Sequence, residues 1–489
     1  LRRDQLMNVL GKVQAEANSE VYAVASGAIG TDVSCIVNAD GTVSVVSGTA
    51  ESLGSQVAVG TFAFEGTPAA VYDTGQDKVL FIYQGASNYG NAVVGTVSGS
   101  SISFGTPSVF ISSNTSGISA TFDSNAGKTG IFFTDGGNSS YGKALVATIS
   151  GTSVSFGSTV THASVDTQGR RDSTFDSSQN KLLLVYPHGS SNANTVAATI
   201  SGTDIAFGSV EALDDTTNAY ELAIQYDSNA SKSLVIYSKN GTDDRLYGKV
   251  VTLSGTTISL GSEALAVAAS SPVPVDCALT YDSTNSKIVM GYAVGSPVLY
   301  YFQVGTISGT SFSFGTAVST GVRLNITTRN HLHYNAAAEK VVIAGRDDGA
   351  SHVQKYVTAT VSGTTISVDS AVTYYASTSY VSCSTYDSDQ QKSVLFYAAS
   401  SFSNPAVKIL TVGSTTLTSE NYIGISNAAY ADTQTATIQA GGAVNTGQSS
   451  LTAGQQYFVQ EDGTLGLTAD STSVIAGTAV SATNIIVKG

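Results

Sequence analysis

The side chains best suited to chemistry are few and scattered here: five histidines, three cysteines and no tryptophan in 489 residues. His331 and His333 flank Leu332 in a stretch with strand character, so both side chains fall on one side and offer two nitrogens to a metal such as zinc. No third ligand accompanies them, and the adopted reading is two ordinary histidines on a polar strand face. His162, His188 and His352 stand alone, leaving little material for proton transfer at neutral pH beyond carboxylate pairs. The doublets Asp214 with Asp215, Asp243 with Asp244, and Asp347 with Asp348 fall in expected inter-strand loops, where calcium is the chemistry to consider. None has the alternating carboxylates, central glycine and trailing Glu of a calcium loop, so they read as solvated loop charge. Cys35, Cys277 and Cys383 are too far apart to suggest a metal pair or a disulfide framework and read as buried free thiols.

Larger catalytic signatures are missing. There is no nucleophile elbow, no phosphate-binding loop with its Lys-Ser/Thr and no dinucleotide fingerprint in a suitable setting. The sialidase-type Asp box requires a tryptophan that this chain does not have. No catalytic residue, cofactor-binding residue or metal ligand is therefore assigned, and a protein without enzymatic activity is expected. Sugar rings stack on flat side chains, which makes Tyr89, Tyr141, Tyr220, Tyr247 and the pair Tyr374, Tyr375 candidate glycan contacts. Each is equally well explained by packing.

A formal charge of −14, from 36 acidic against 22 basic residues, argues against nucleic acid or an anionic lipid surface as partner, since both need clustered Lys and Arg. The longest basic runs, Arg2 with Arg3 and Arg170 with Arg171, are too short to make a patch. No run of eighteen apolar residues is present, so membrane insertion is not expected. The opening LRRDQLMNVLG lacks the apolar stretch of a secretion signal, and because the chain starts without Met a preceding segment stays open. With 42% hydrophobic residues, 12% charged residues and 49 glycines, the composition is that of packed β structure with short turns.

Internal repetition decides the expected fold. An aromatic residue followed by Asp or Asn recurs at Tyr72, Phe122, Phe175, Tyr226, Tyr281, Tyr334 and Tyr386, at intervals of 50, 53, 51, 55, 53 and 52 residues. A second marker beginning T-x-S-G follows in the first six copies, with glycines at Gly99, Gly151, Gly202, Gly255, Gly309 and Gly363. Each unit reads as four short antiparallel strands: a stretch ending at the aromatic-Asp pair, a D-S-x-x-x-K turn, an apolar run, a third strand ending at S-G, and an alternating edge strand. The repeat aspartates Asp73, Asp123, Asp176, Asp227, Asp282 and Asp387, with Asn335 in the sixth copy, are read as turn caps rather than a metal ring. Lys78, Lys128, Lys181, Lys232, Lys287, Lys340 and Lys392 are read as covering the same turn with their stems. Radial repetition of such units predicts an all-β seven-bladed β-propeller over residues 51–418. The seventh copy lacks a fourth strand, so residues near 52–58 are expected to supply it and lock the ring.

Two flanks remain. Leu6, Val9, Leu10, Val13 and Ala17 follow a helical spacing that predicts a short amphipathic helix over residues 2–18, and NADG at 38–41 predicts a hairpin turn. Residues 1–50 are thus expected to be a docking segment, and residues 419–489 a separate, small C-terminal β domain. In that last stretch YIGISNAAYAD, LTAGQQYFVQEDGTL and AGTAVSATNIIVKG resemble a module found near the C-termini of structural proteins of tailed bacteriophages, many of them marine. The S-G-T-x-I-S-F-G repeats are similar to those of uncharacterised phage and bacterial surface proteins.

The resemblance implies a virion component of fibre, spike or decoration type. Its expected partners are other virion proteins, bound through the terminal segments, further copies of itself, and a host-surface glycan or protein. The resemblance brings no catalytic motif and no cofactor. Two other readings are a polysaccharide-degrading enzyme with a carboxylate cluster on the axial face, and a bacterial surface adhesin, for which a secretion signal should precede Leu1.

Overall fold

The computed structural model describes residues 14–16, 19–60, 65–189, 192–214, 221–239, 245–268, 275–295, 298–325, 332–349, 351–400, 403–470 and 473–488. Its regular structure is all β, with one short 3-10 turn at Ala86–Asn88 among the described residues. The chain divides into two compact units: residues 1–52 together with 412–489, and residues 53–411.

The unit over 53–411 contains seven antiparallel sheets, six built on a four-stranded meander and the seventh on three consecutive strands. Sheet 1 runs Glu65–Asp73, Lys78–Gln84, Gly90–Ser98 and Ser101–Phe104, and sheet 2 runs Thr115–Asp123, Lys128–Asp135, Tyr141–Ser150 and Ser153–Phe156. Sheet 3 runs Asp172–Asp176, Lys181–His188, Asn192–Ser201 and Asp204–Asp214, and sheet 4 runs Leu222–Asp227, Lys232–Lys239, Arg245–Ser254 and Thr257–Leu260. Sheet 5 runs Val275–Asp282, Lys287–Val294, Leu299–Ser308 and Ser311–Phe314; sheet 6 runs Leu332–Asn335, Lys340–Asp347, Val353–Ser362 and Thr365–Val368. Sheet 7 has Ser382–Asp387, Lys392–Ser400 and Ser403–Thr411, and its outer edge is completed by Ser52–Leu53 and Val57–Ala58.

The pattern within each repeat follows from what each strand faces. The second strands, such as Lys78–Gln84 with VLFIY buried throughout, are apolar on both sides because a neighbouring sheet covers each face. Outer strands such as Ser101–Phe104 alternate exposed and buried residues because they lie at the rim. Apolar clusters join sheet 1 to 2, 2 to 3, 3 to 4, 4 to 5 and 5 to 6, and a further cluster joins sheet 7 to sheet 1 through Phe396 and Phe81, stacked at 4.4 Å. Sheets 6 and 7 meet through Tyr374 and Tyr375 on Tyr397, with ring centroids 5.4 and 4.8 Å apart. The packing therefore forms a closed circuit.

The glycine ending the S-F-G motif has a steric cause. A Cβ on Gly105 would lie 1.9 Å from the carbonyl oxygen of Thr152 in the next sheet, and one on Gly157 the same distance from that of Thr203. Gly54 stands in that relation to sheet 1, 2.0 Å from the Ser100 oxygen, and its N–H donates to Ile409 O at 2.8 Å. Innermost edges are also satisfied between sheets: Asp172 Oδ2 and Thr174 Oγ1 of sheet 3 accept the N–H groups of Ile224 and Tyr226 of sheet 4, at 2.9 and 3.1 Å.

The other unit corrects the expected division of the flanks. Its six-stranded sheet has the order Gln14–Glu16, Glu20–Val24, Thr435–Gln439, Tyr422–Ser426, Ser34–Val37, Val43–Val45, so segments expected as a docking piece and a separate C-terminal domain interleave in one sheet. The reason is burial: Val21, Ala23 and Cys35 share a core with Ala436 and Ile438, and an isolated hairpin could not cover those residues. A five-stranded sheet, Val444–Asn445, Ile485–Val487, Val474–Ala479, Gln456–Val459 and Leu465–Gly466, packs Val459, Val474 and Ile485 with Ile36 and Ile425. The expected helix over 2–18 falls outside the described residues except at Gln14–Glu16, which is a strand antiparallel to Glu20–Val24. There the free edge of that strand binds the backbone. The NADG turn joins Ser34–Val37 to Val43–Val45, with Gly41 N–H donating to Asn38 O at 3.0 Å.

Candidate functional site

Most residues with chemical potential are spent on structure. In the repeat turn, Asp73 Oδ1 accepts the N–H groups of Gly75 and Gln76 at 2.9 and 3.1 Å, and Asp123 those of Asn125 and Ala126 at 3.0 and 2.9 Å. Asp176 and Asp227 do the same in their copies, Asp282 and Asp387 accept the N–H groups of Asn285 and Gln390, both at 3.0 Å, and Asn335 accepts from Ala338 at 3.1 Å. Burial raises the carboxyl pKa of Asp73 and Asp387. The residue before the lysine adopts a left-handed conformation in every copy, at Asp77, Gly127, Asn180, Ser231, Ser286, Glu339 and Gln391. Lys78 Nζ folds back on the carbonyls of Gln76 and Asp77, both at 3.2 Å.

The aromatic of the same motif has a role the sequence did not reveal. Tyr334 donates to Thr284 Oγ1 in the turn of sheet 5 at 2.7 Å, while Tyr386 accepts from Ala337 N in the turn of sheet 6 at 3.2 Å. Tyr72 of sheet 1 likewise accepts from Asp389 N in the turn of sheet 7, at 3.3 Å. These hydroxyls clasp one sheet to the previous one.

His333 is not displayed on a polar face. His331 lies outside the described residues; His333 is buried, with Nδ1 3.0 Å from Ser384 Oγ and Nε2 2.8 Å from Ser393 Oγ, both in sheet 7. Burial holds its pKa down to about 3, so it is neutral. Among the described residues no three His, Cys, Asp or Glu side chains are grouped to hold a metal. Asp347 pairs with Lys355 at 2.8 Å, and Asp348 with Arg346 at 2.6 Å and His352 at 3.1 Å. Asp215, Asp243 and Asp244 lie outside the described residues, and Asp214 ends a strand of sheet 3. Of the candidate tyrosines, Tyr374 is buried, Tyr375 bonds Ala399 O, Tyr247 lies under Lys239 Nζ at 4.9 Å, Tyr141 is partly buried and Tyr89 is exposed; Tyr220 is outside the described residues. All three cysteines are buried and none is in a disulfide, with burial pushing the Cys35 thiol up to about 12.

The most unusual electrostatic arrangement involves the basic pair that looked too short to matter. Arg170 reaches from the start of sheet 3 to Glu221 at 2.5 Å and to Asp276, at the starts of sheets 4 and 5. Arg171 turns the other way and is 1% exposed between sheets 2 and 3. Its Nη2 donates to Thr134 Oγ1 and, at 2.9 Å, to Thr167 O; among the described residues Nε and Nη1 have no partner. Burial pulls its pKa down to about 9, and the nearby charge helps hold His162 at about 3, after burial as the larger cause. Sequence carries one signal of this site: Gly117, with φ of +53°, where a Cβ would stand 3.2 Å from Nε.

No protein-family model matches the chain, and no curated protein matches it. Among solved structures, a protein of unknown function from Dyadobacter fermentans aligns over 75% of this chain and 99% of its own, with 9% identity and a TM-score of 0.43. A variant of the Aleuria aurantia lectin, in complex with Fucα1-6GlcNAc, aligns over 64% of this chain and 97% of its own, with 12% identity and a TM-score of 0.41. The same lectin variant with α-methyl-L-fucoside gives 11% identity and a TM-score of 0.40.

Proposed function

We propose that this chain is a non-enzymatic structural protein of a tailed-phage virion, a fibre, spike or decoration component that displays a seven-bladed β-propeller for attachment to a host surface. The observation that carries the reading is the topology: segments from both ends of the chain share one β unit, and residues 53–411 are an insertion within it. Such a unit suits a base, tied to other virion proteins and to further copies of the chain, while the inserted propeller meets a host glycan or protein. The absence of enzymatic activity in this proposal is supported by the fate of the repeat aspartates and His333, whose polar atoms are engaged in turns and between sheets.

Antibody labelling of gradient-purified particles tests the location. The expected result is regular decoration at one site on the particle; particles free of the protein would remove the virion assignment. Incubating the pure protein with host-surface glycans tests the other half, since a binder generates no new reducing ends or unsaturated sugars.

A further inference from the structure

We propose that Arg171 is the centre of an anion-binding site, taking a small monoanion of chloride size at its Nε and Nη1 groups between sheets 2 and 3. Three observations converge on it. The Arg171 side chain is buried, and among the described residues no carboxylate pairs with it, whereas neighbouring Arg170 has both Glu221 and Asp276. An enclosed cation without a counter-charge is costly, and the neutral oxygens of Thr134 and Thr167 engage Nη2 alone.

The side chain beside it is the second observation. His162 has both ring nitrogens enclosed and unpartnered, with its ring edge-on to Tyr186 at 4.7 Å. A neutral imidazole carries one N–H, so a further donor stands near the guanidinium.

The third observation is the crowding at Gly117. A Cβ there would stand 2.7 Å from Gly169 O, 3.2 Å from Nε and 3.3 Å from Nη2, so any side chain at this position would press on the guanidinium, and the left-handed φ of +53° is one that glycine adopts without strain.

Bromide is the probe. Crystals of the full chain grown or soaked in sodium bromide, measured at the bromine absorption edge, should show an anomalous peak in contact with Arg171 Nε or Nη1. In solution the thermal midpoint should rise saturably, by about 2 °C or more, when chloride replaces gluconate at fixed ionic strength. Arg171→Met and Gly117→Ala should each abolish the anion dependence, the second while keeping the charge. A bromide map with no anomalous density at Arg171 overturns the proposal on the wild-type protein alone, whether or not either variant folds. A midpoint indifferent to the anion overturns it equally.

Discussion

Two buried histidines make a residue-scale prediction about acid. His162 and His333 are both held near pKa 3 by burial, against about 6.5 in an unfolded chain, so the folded state binds fewer protons across that interval. Their stabilising contribution is complete above pH 6.5 and falls by about 1.4 kcal/mol per pH unit for each histidine as pH drops toward 3. Urea titrations at pH 7 and pH 5 should show the loss, and His333→Gln should flatten the slope by about one such increment. An unchanged slope in that variant would mean the ring is already charged between Ser384 and Ser393. The glycines give a second prediction, because two of them in one motif are glycine for different reasons. Gly99 has φ +60° and open space around it, so Gly99→Ala should cost about 1 kcal/mol from conformation alone. Gly105→Ala drives a methyl into the Thr152 backbone and should cost about 3 kcal/mol. The order of the two chemical-denaturation midpoints checks the assignment.

At the scale of elements, the outer edge of sheet 7 is contributed by residues some 350 positions before its other strands. Gly54 is placed against Ser100 as Gly105 is against Thr152, at 2.0 and 1.9 Å, so Gly54→Ala should lower the thermal midpoint about as far as Gly105→Ala. A silent Gly54→Ala would show that residues 52–58 are a loose flap and that the circuit of sheets does not depend on them. The repeat made these elements readable. An aromatic-Asp pair, a lysine and an S-G turn at constant spacing mark strand ends, because each fills a backbone requirement that recurs in every sheet. The tyrosine clasps from Tyr72, Tyr334 and Tyr386 were not readable, since a hydroxyl reaching the previous sheet leaves no trace in local pattern, and Phe122 and Phe175 occupy the same position without one.

At the scale of the whole molecule, truncation after Thr411 should do more than remove a domain. It would strip Glu20–Val24 and Ser34–Val37 of their partners Thr435–Gln439 and Tyr422–Ser426, so limited proteolysis should cut within residues 19–45 of the truncated chain while sparing the full one. Resistance of that segment would refute the shared sheet. Sequence alone determined that the chain is all β, that it repeats about every fifty residues and where each repeat turns, because these follow from local backbone chemistry and from burial with a period of two. Only the tertiary structure decided that both flanks build one sheet, and that adjacent Arg170 and Arg171 part, the first into an ion cluster and the second into a buried position where, among the described residues, no carboxylate pairs with it. Those outcomes depend on pairings between residues hundreds of positions apart, and on which side of a strand start each side chain finds its partner, and neither is encoded in any short stretch of chain.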